Sequence, residues 1–133
     1  MSGLLDRILS FLADTDQVIE EGTSGIWTYR KWKSGIAECW GKTERTLTID
    51  QAWGSMYGTR TAQVVKENFP TGLFIAKPNI TVSTVSTSGY SGFISSDQNA
   101  SSTNTGGFSI ARPTTASNVK YDFCFQVKGR WKA

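Results

Sequence analysis

The chain has 133 residues, of which 38% are hydrophobic and 12% aromatic, and a formal net charge of +3. That is one domain's worth of chain, with enough large rings to build a core, which excludes a disordered segment. The charge is too small and too scattered for a nucleic-acid binder. The absence of histidine excludes Ser-His-Asp and Cys-His catalysis, and two cysteines without histidine exclude a structural zinc site.

From Gly3 to Ala13 the periodicity predicts a short helix. Leu4, Ile8 and Leu12 recur at i, i+4 and i+8, with Leu5 and Leu9 alongside, so one wide apolar stripe results. Leu4, Phe11 and Val18 also fall seven apart. Asp6 and Arg7 interrupt the apolar residues, so this start is neither a signal peptide nor a membrane span. A helix this short is marginal alone. It packs either on its own domain or on copies of itself as the end of a stalk. In the second case Leu4, Leu5, Ile8 and Leu12 are the oligomer contacts.

Asp14-Thr15-Asp16 breaks the pattern, dividing a helical segment (1–16) from a β-rich head (17–133). Gln17 to Glu21 reads as a first strand. Ile26 to Trp32 alternates, with Trp27, Tyr29 and Lys31 on one face and Ile26, Thr28, Arg30 and Trp32 on the other. Lys33-Ser34-Gly35 is turn chemistry, and Ile36 to Trp40 resumes the alternation. Gly41 to Glu44 reads as a turn. Arg45 to Asp50 then alternates, Leu47 and Ile49 pointing one way and Thr46 and Thr48 the other.

Residues 51–68 leave strand and helix open, with Trp53 to Gly58 read as an aromatic loop. Phe69-Pro70-Thr71-Gly72 is a turn. Leu73 to Ala76 reads as a buried apolar run. Ile80 to Val85 and Tyr90 to Ser95 read as strands. Ser96 to Gly107, rich in Ser, Asn, Thr and Gly, predicts a long exposed loop. Phe108 to Ala111 is a strand, and Thr114 to Asn118 a turn. Tyr121 to Val127 is the clearest strand, with Tyr121, Phe123, Phe125 and Val127 on one face. Short strands separated by turn signals predict an all-β fold, a β-sandwich or jelly-roll-like head behind a short N-terminal α-helix.

Cys39 and Cys124 fall in predicted strands, as buried thiols or as one disulfide outside the cell. Glycoside hydrolysis needs two facing carboxylates. Glu38, Glu44 and Asp50 are available, but no spacing singles out a pair, and Glu38 is placed to pair with Arg30 or Lys31 across the hairpin. No Gly-rich phosphate loop is present. The residue set therefore speaks against an enzyme and implies no cofactor and no metal. Aromatic and cationic groups are the remaining binding machinery, since Trp and Tyr faces stack on the apolar face of sugar rings while Arg adds hydrogen bonds. Tyr29, Arg30, Trp53, Tyr57 and Tyr90 are the candidates.

The run Gly25-Ile26-Trp27-Thr28-Tyr29-Arg30-Lys31-Trp32-Lys33-Ser34-Gly35-Ile36-Ala37-Glu38-Cys39-Trp40-Gly41 resembles the Gly-x-Trp-x-Tyr-x-Lys-Trp-x-Ser-Gly-x-Ala-Glu-x-Trp pattern of C-terminal domains in tail-fibre-like and minor structural proteins of phages and prophages of Gram-positive bacteria. The closing Gly129-Arg130-Trp131 resembles the end of the same proteins. The resemblance implies a virion protein, a homotrimeric fibre or tail-tip head that attaches to a bacterial surface polysaccharide or teichoic acid and assembles with other virion proteins. It implies no nucleic-acid partner and no membrane insertion, and it carries over no ligand site. The rival expectations are a trimerisation or assembly domain without a ligand, and an enzyme acting on cell-wall polysaccharide.

Overall fold

A computed structural model describes the backbone of residues 2–133 and the side chains of 3–9 and 15–133. The elements in order are α1 (Ser2–Asp14), β1 (Val18–Ser24), β2 (Trp27–Trp32), β3 (Ile36–Trp53), β4 (Met56–Thr59), a 3₁₀ turn (Thr61–Gln63), β5 (Asn79–Ser86), β6 (Phe93–Ser96), β7 (Phe108–Arg112) and β8 (Ala116–Arg130). The chain is all-β behind a short N-terminal helix, the class its strand and turn pattern predicts.

The spine is β3, a strand of 18 residues. One of its edges pairs first with β2 and then, past a bulge, with β4; the other pairs with β8 from Ile36–Arg130 to Ile49–Ala116. The sheet continues from β2 to β1, from β4 through β7 to β6, and from β8 to β5, with every ladder antiparallel. It curls around one apolar cluster drawn from both wings, in which Trp27 of β2, Leu47 and Ile49 of β3, Ile110 of β7 and the inner face of β8 meet Phe69 and Phe74 of the long 64–78 connection. The alternation of β8 is as its sequence implies: Tyr121, Phe123, Phe125 and Val127 are all buried, and Asp122, Gln126 and Lys128 are not.

Several segments differ from the reading of the sequence, each for an identifiable reason. Gly41 to Glu44 is not a turn; β3 runs straight through it, paired with Phe125, Cys124, Phe123 and Asp122 of β8. Gly41 serves a close approach, since a Cβ there would run into the Ile26 carbonyl. Thr48 does not face water opposite Leu47 and Ile49. The bulge between those two residues turns it inward, where its amide N–H donates to Gln63 Oε1 (2.7 Å) and its hydroxyl accepts from the Asn118 N–H (3.3 Å). Trp53 to Gly58 is a β3–β4 hairpin turning at Gly54, φ 58°. Leu73 to Ala76 is no strand; Leu73 and Phe74 are buried and Ile75 and Ala76 exposed.

The 96–107 segment is only half an exposed loop. Thr105 is buried and exchanges hydrogen bonds with Glu67, its N–H to the Glu67 carbonyl (2.9 Å) and its hydroxyl accepting the Glu67 N–H (3.0 Å). The backbone of 103–107 thereby completes the sheet edge beside the 65–69 strand-like run, so polar composition does not expose it. The turn before β8 is shorter than Thr114 to Asn118, because the strand starts at Ala116. Asn118 keeps an irregular backbone there, φ 52°, which its residue type tolerates.

The described apolar side chains of α1 do not dock on the sheet. Leu4, Leu5, Ile8 and Leu9 are 66%, 58%, 48% and 55% exposed. Leu12 lies outside the residues whose side chains are described.

Candidate functional site

The aromatic hairpin β2–β3 is clamped by both ends of the head. Asp16 accepts the Ser34 hydroxyl (2.6 Å) and the Ser34 and Gln17 N–H groups (3.0 Å each). The Ser34 hydroxyl is the main reason the Asp16 carboxyl is held below the usual carboxylate range. From the other end, Arg130 donates to the Ser34 carbonyl (2.9 Å) and the Trp131 indole to the Trp32 carbonyl (2.7 Å). The two segments that carry the family resemblance thus form one structural unit.

Four of the five tryptophans are committed. Trp27 is buried, its indole N–H donating to the Asn68 carbonyl. Trp32 donates to Glu38 Oε1 (3.1 Å). Trp40 lies under the Arg30 guanidinium and Trp131 under the ammonium groups of Lys31 and Lys132. Trp53 differs. It stands at the tip of the β3–β4 hairpin, 59% exposed, with neither a cation over its ring nor a hydrogen bond from its indole.

Beside Trp53 a groove of about 280 Å³ opens between the β3–β4 hairpin and the β6–β7 hairpin. Its floor is low because small residues pair in register there: Gly58 opposite Ala111, and Ser109 opposite Ser95. One wall is Gln51, Trp53 and Thr61; the other is Ser96 and Asp97. The Thr61 hydroxyl donates to Gln51 Oε1 (3.1 Å), which leaves the amide NH₂ free to donate. Asp97 is set in place through its backbone, its N–H bonded to the Gly107 carbonyl (2.8 Å), and its carboxylate accepts nothing from the protein. The groove therefore offers a flat apolar face, hydroxyls, a directed donor and an acceptor.

The structure does not gather the sequence candidates into one place. Trp53 lines this groove. Tyr57, one strand-turn away, points inward and packs on the core. Tyr90 is partly exposed but capped by the Arg112 guanidinium at 5.2 Å, and its carbonyl accepts the buried Tyr121 hydroxyl (2.5 Å). Tyr29 leans over Gly22 beside the Pro70–Leu73 turn, in a separate shallow recess. Desolvation there, and then the neighbouring Glu20, raises its hydroxyl above the usual phenol range. Arg30 lies on the opposite face, paired with Glu21 (2.6 Å) and stacked on Trp40. It stands directly opposite Glu38 in the β2–β3 ladder but makes no ion pair with it, and Glu38 accepts from Trp32. Sequence reasoning missed Gln51, Ser95, Ser109 and Asp97. The tight Trp53-Gly54-Ser55 tip was the one available signal, and nothing in the Ser/Asn-rich run marks Asp97.

A second recess, on the outer face of β3, β8 and β5, is broader and flatter, with Trp40 already covered and Glu38 and Lys128 directly opposite each other. Both cysteines are free; Cys39 is buried, which pushes its thiol up to about 12, and Cys124 is half-buried. Among the described residues no group of His, Cys, Asp and Glu side chains could hold a metal ion, and no helix is long and apolar enough to cross a membrane. No family model matches the chain, and neither the curated proteins nor the solved structures include a significantly similar one.

Proposed function

We propose that this protein is the head of a phage fibre or tail tip that attaches to a glycan on the bacterial surface. The observation that carries the reading is Trp53, an uncovered indole at the rim of a groove floored by glycine, alanine and serine. A pyranose has one face of C–H groups and an equator of hydroxyls. An exposed ring beside small polar residues matches that division, because stacking takes the apolar face while hydroxyls and amides take the rim. The groove holds a single carboxylate, whereas glycoside hydrolysis uses two, so the reading is binding without cleavage.

The helix supports the same reading. An apolar stripe left exposed on a helix too short to stand alone calls for partners. Its spacing at four and seven residues suits other copies of itself. Val18 and Ile19 at the start of β1 are also exposed, 38% and 53%. The proposed assembly is a homotrimer, with the helices as a stalk and the heads presenting their grooves.

The test is sedimentation of the purified protein with cell walls from Gram-positive bacteria, before and after periodate oxidation of the wall glycans. Binding that disappears with the oxidised vicinal diols supports attachment to sugar. Binding that survives oxidation removes vicinal-diol sugars as the ligand, and a protein that does not sediment even with untreated walls favours the rival reading of an assembly domain that meets only proteins.

A further inference from the structure

We infer that the Trp53 groove selects uncharged sugars carrying vicinal hydroxyls and rejects anionic polymers of the teichoic-acid kind. The inference rests on the glycan reading above and narrows its ligand. Two expectations stood side by side for the surface partner, polysaccharide and teichoic acid, and the chemistry of the groove separates them.

A phosphodiester polymer needs cations or directed N–H donors. No lysine or arginine lines the groove. The cation next to it in sequence, Arg60, is spent on Asp50, with Nε to Oδ1 at 3.0 Å and Nη2 to Oδ2 at 2.7 Å. The one charged group facing the groove is Asp97. It repels a phosphate. The excess positive charge of the protein lies elsewhere, so it does not rescue anion binding at this place.

For a neutral pyranose the same carboxylate is an asset. Two oxygens accept from two adjacent hydroxyls, a charge-assisted pair stronger than neutral hydrogen bonds. Gln51, its carbonyl held by Thr61, donates from the opposite wall. Trp53 supplies the stacking face. Donor and acceptor on facing walls fix the orientation of the ring, and the Gly58 and Ala111 floor leaves it room.

The experiment uses the full chain and cells to which it adsorbs. The wall is separated into its neutral polysaccharide and its teichoic acid, and each fraction competes for adsorption at low salt. The neutral fraction is expected to displace the protein at a concentration at least about tenfold lower than the teichoic acid. Asp97→Asn should weaken binding of the neutral fraction about tenfold, the loss of a charged acceptor, with an unchanged thermal midpoint. Asp97→Lys should bring the teichoic acid into competition. Equal or better competition by teichoic acid on the wild type would overturn the inference and leave glycan attachment standing. So would an Asp97→Asn protein that binds like the wild type. Failure of both fractions to compete would overturn glycan attachment itself.

Discussion

Trp27 and Phe125 lie on strands that never pair, yet their rings meet at 5.7 Å across β3. They occupy one row of the sheet with Gly41 between them, and the row continues to Val82 of β5. Neighbouring strands are about 4.8 Å apart, so two rings separated by a whole strand touch only where the strand between carries no side chain. Gly41 is that gap, and the Ile26 carbonyl closes over it from the β1–β2 turn. Phe69 packs on Trp27 from the other side, also at 5.7 Å. The core of the head is therefore built around an absence.

Gly41→Ala should accordingly destabilise the domain, by about 2 kcal/mol, an overpacking cost in a site that cannot move aside. Ser and Val should be worse than Ala in order of size. Urea denaturation of the purified variants measures this. A Gly41→Ala protein as stable as the wild type would show that the row has slack.

Trp27→Phe keeps a ring in the core but removes the indole N–H that donates to the Asn68 carbonyl at 2.6 Å. The loss of one hydrogen bond and the stranding of its acceptor should cost about 1–3 kcal/mol. Proteolysis should then open the 64–78 connection first, since that bond ties it to β2. Unchanged cleavage there would contradict the role given to the indole.

The Asp16 clamp predicts a pH dependence with a definite sign. Its folded pKa is lowered from the ordinary 3.8, chiefly by the Ser34 hydroxyl. The contact therefore contributes above 3.8 and is lost as the pH falls through the lower folded value. The Ser34 amide resonance should titrate with a midpoint below 3.8, and Asp16→Asn should abolish that transition. A midpoint at or above 3.8 would show that the carboxylate is not held by the hairpin turn.

Replacing Leu4, Leu5 and Ile8 with Ala should dissociate the proposed trimer while leaving the head folded, because none of the three is covered by the sheet. Light scattering should give three times the 14.6 kDa chain mass for the wild type and a single chain mass for the variant. A wild type that is already monomeric would remove the stalk.

Strand content and the core face of β8 are legible in the sequence because both are written in period-2 alternation. The features that shape the core and its edges are not. Gly41 looks like turn punctuation, and its use is visible only once Trp27 and Phe125 are known to share a row. Thr48 and Thr105 look like surface residues; a bulge turns one inward and partnering with Glu67 draws in the other. The candidate residues are aromatic and cationic side chains, yet whether each stays open depends on what it packs against. Arg30 covers Trp40, Arg112 covers Tyr90 and the core takes Tyr57. Such long-range covering has no local signature, and Trp53 stands apart only in three dimensions.

The measurement that tests the account most directly is adsorption of the wild type and Trp53→Ala to the same Gram-positive cells. Trp53 sits at a hairpin tip, uncovered and without a hydrogen bond, so its removal should leave the melting temperature within about 2 °C, as expected for an exposed position. Loss of a stacking ring should cost about 1–2 kcal/mol of binding, roughly five- to thirtyfold in affinity. That result, with Tyr90→Ala adsorbing normally as a control, would place the ligand on the groove. Full adsorption by a folded Trp53→Ala protein would contradict the account and return the search to the flat face of β3, β8 and β5.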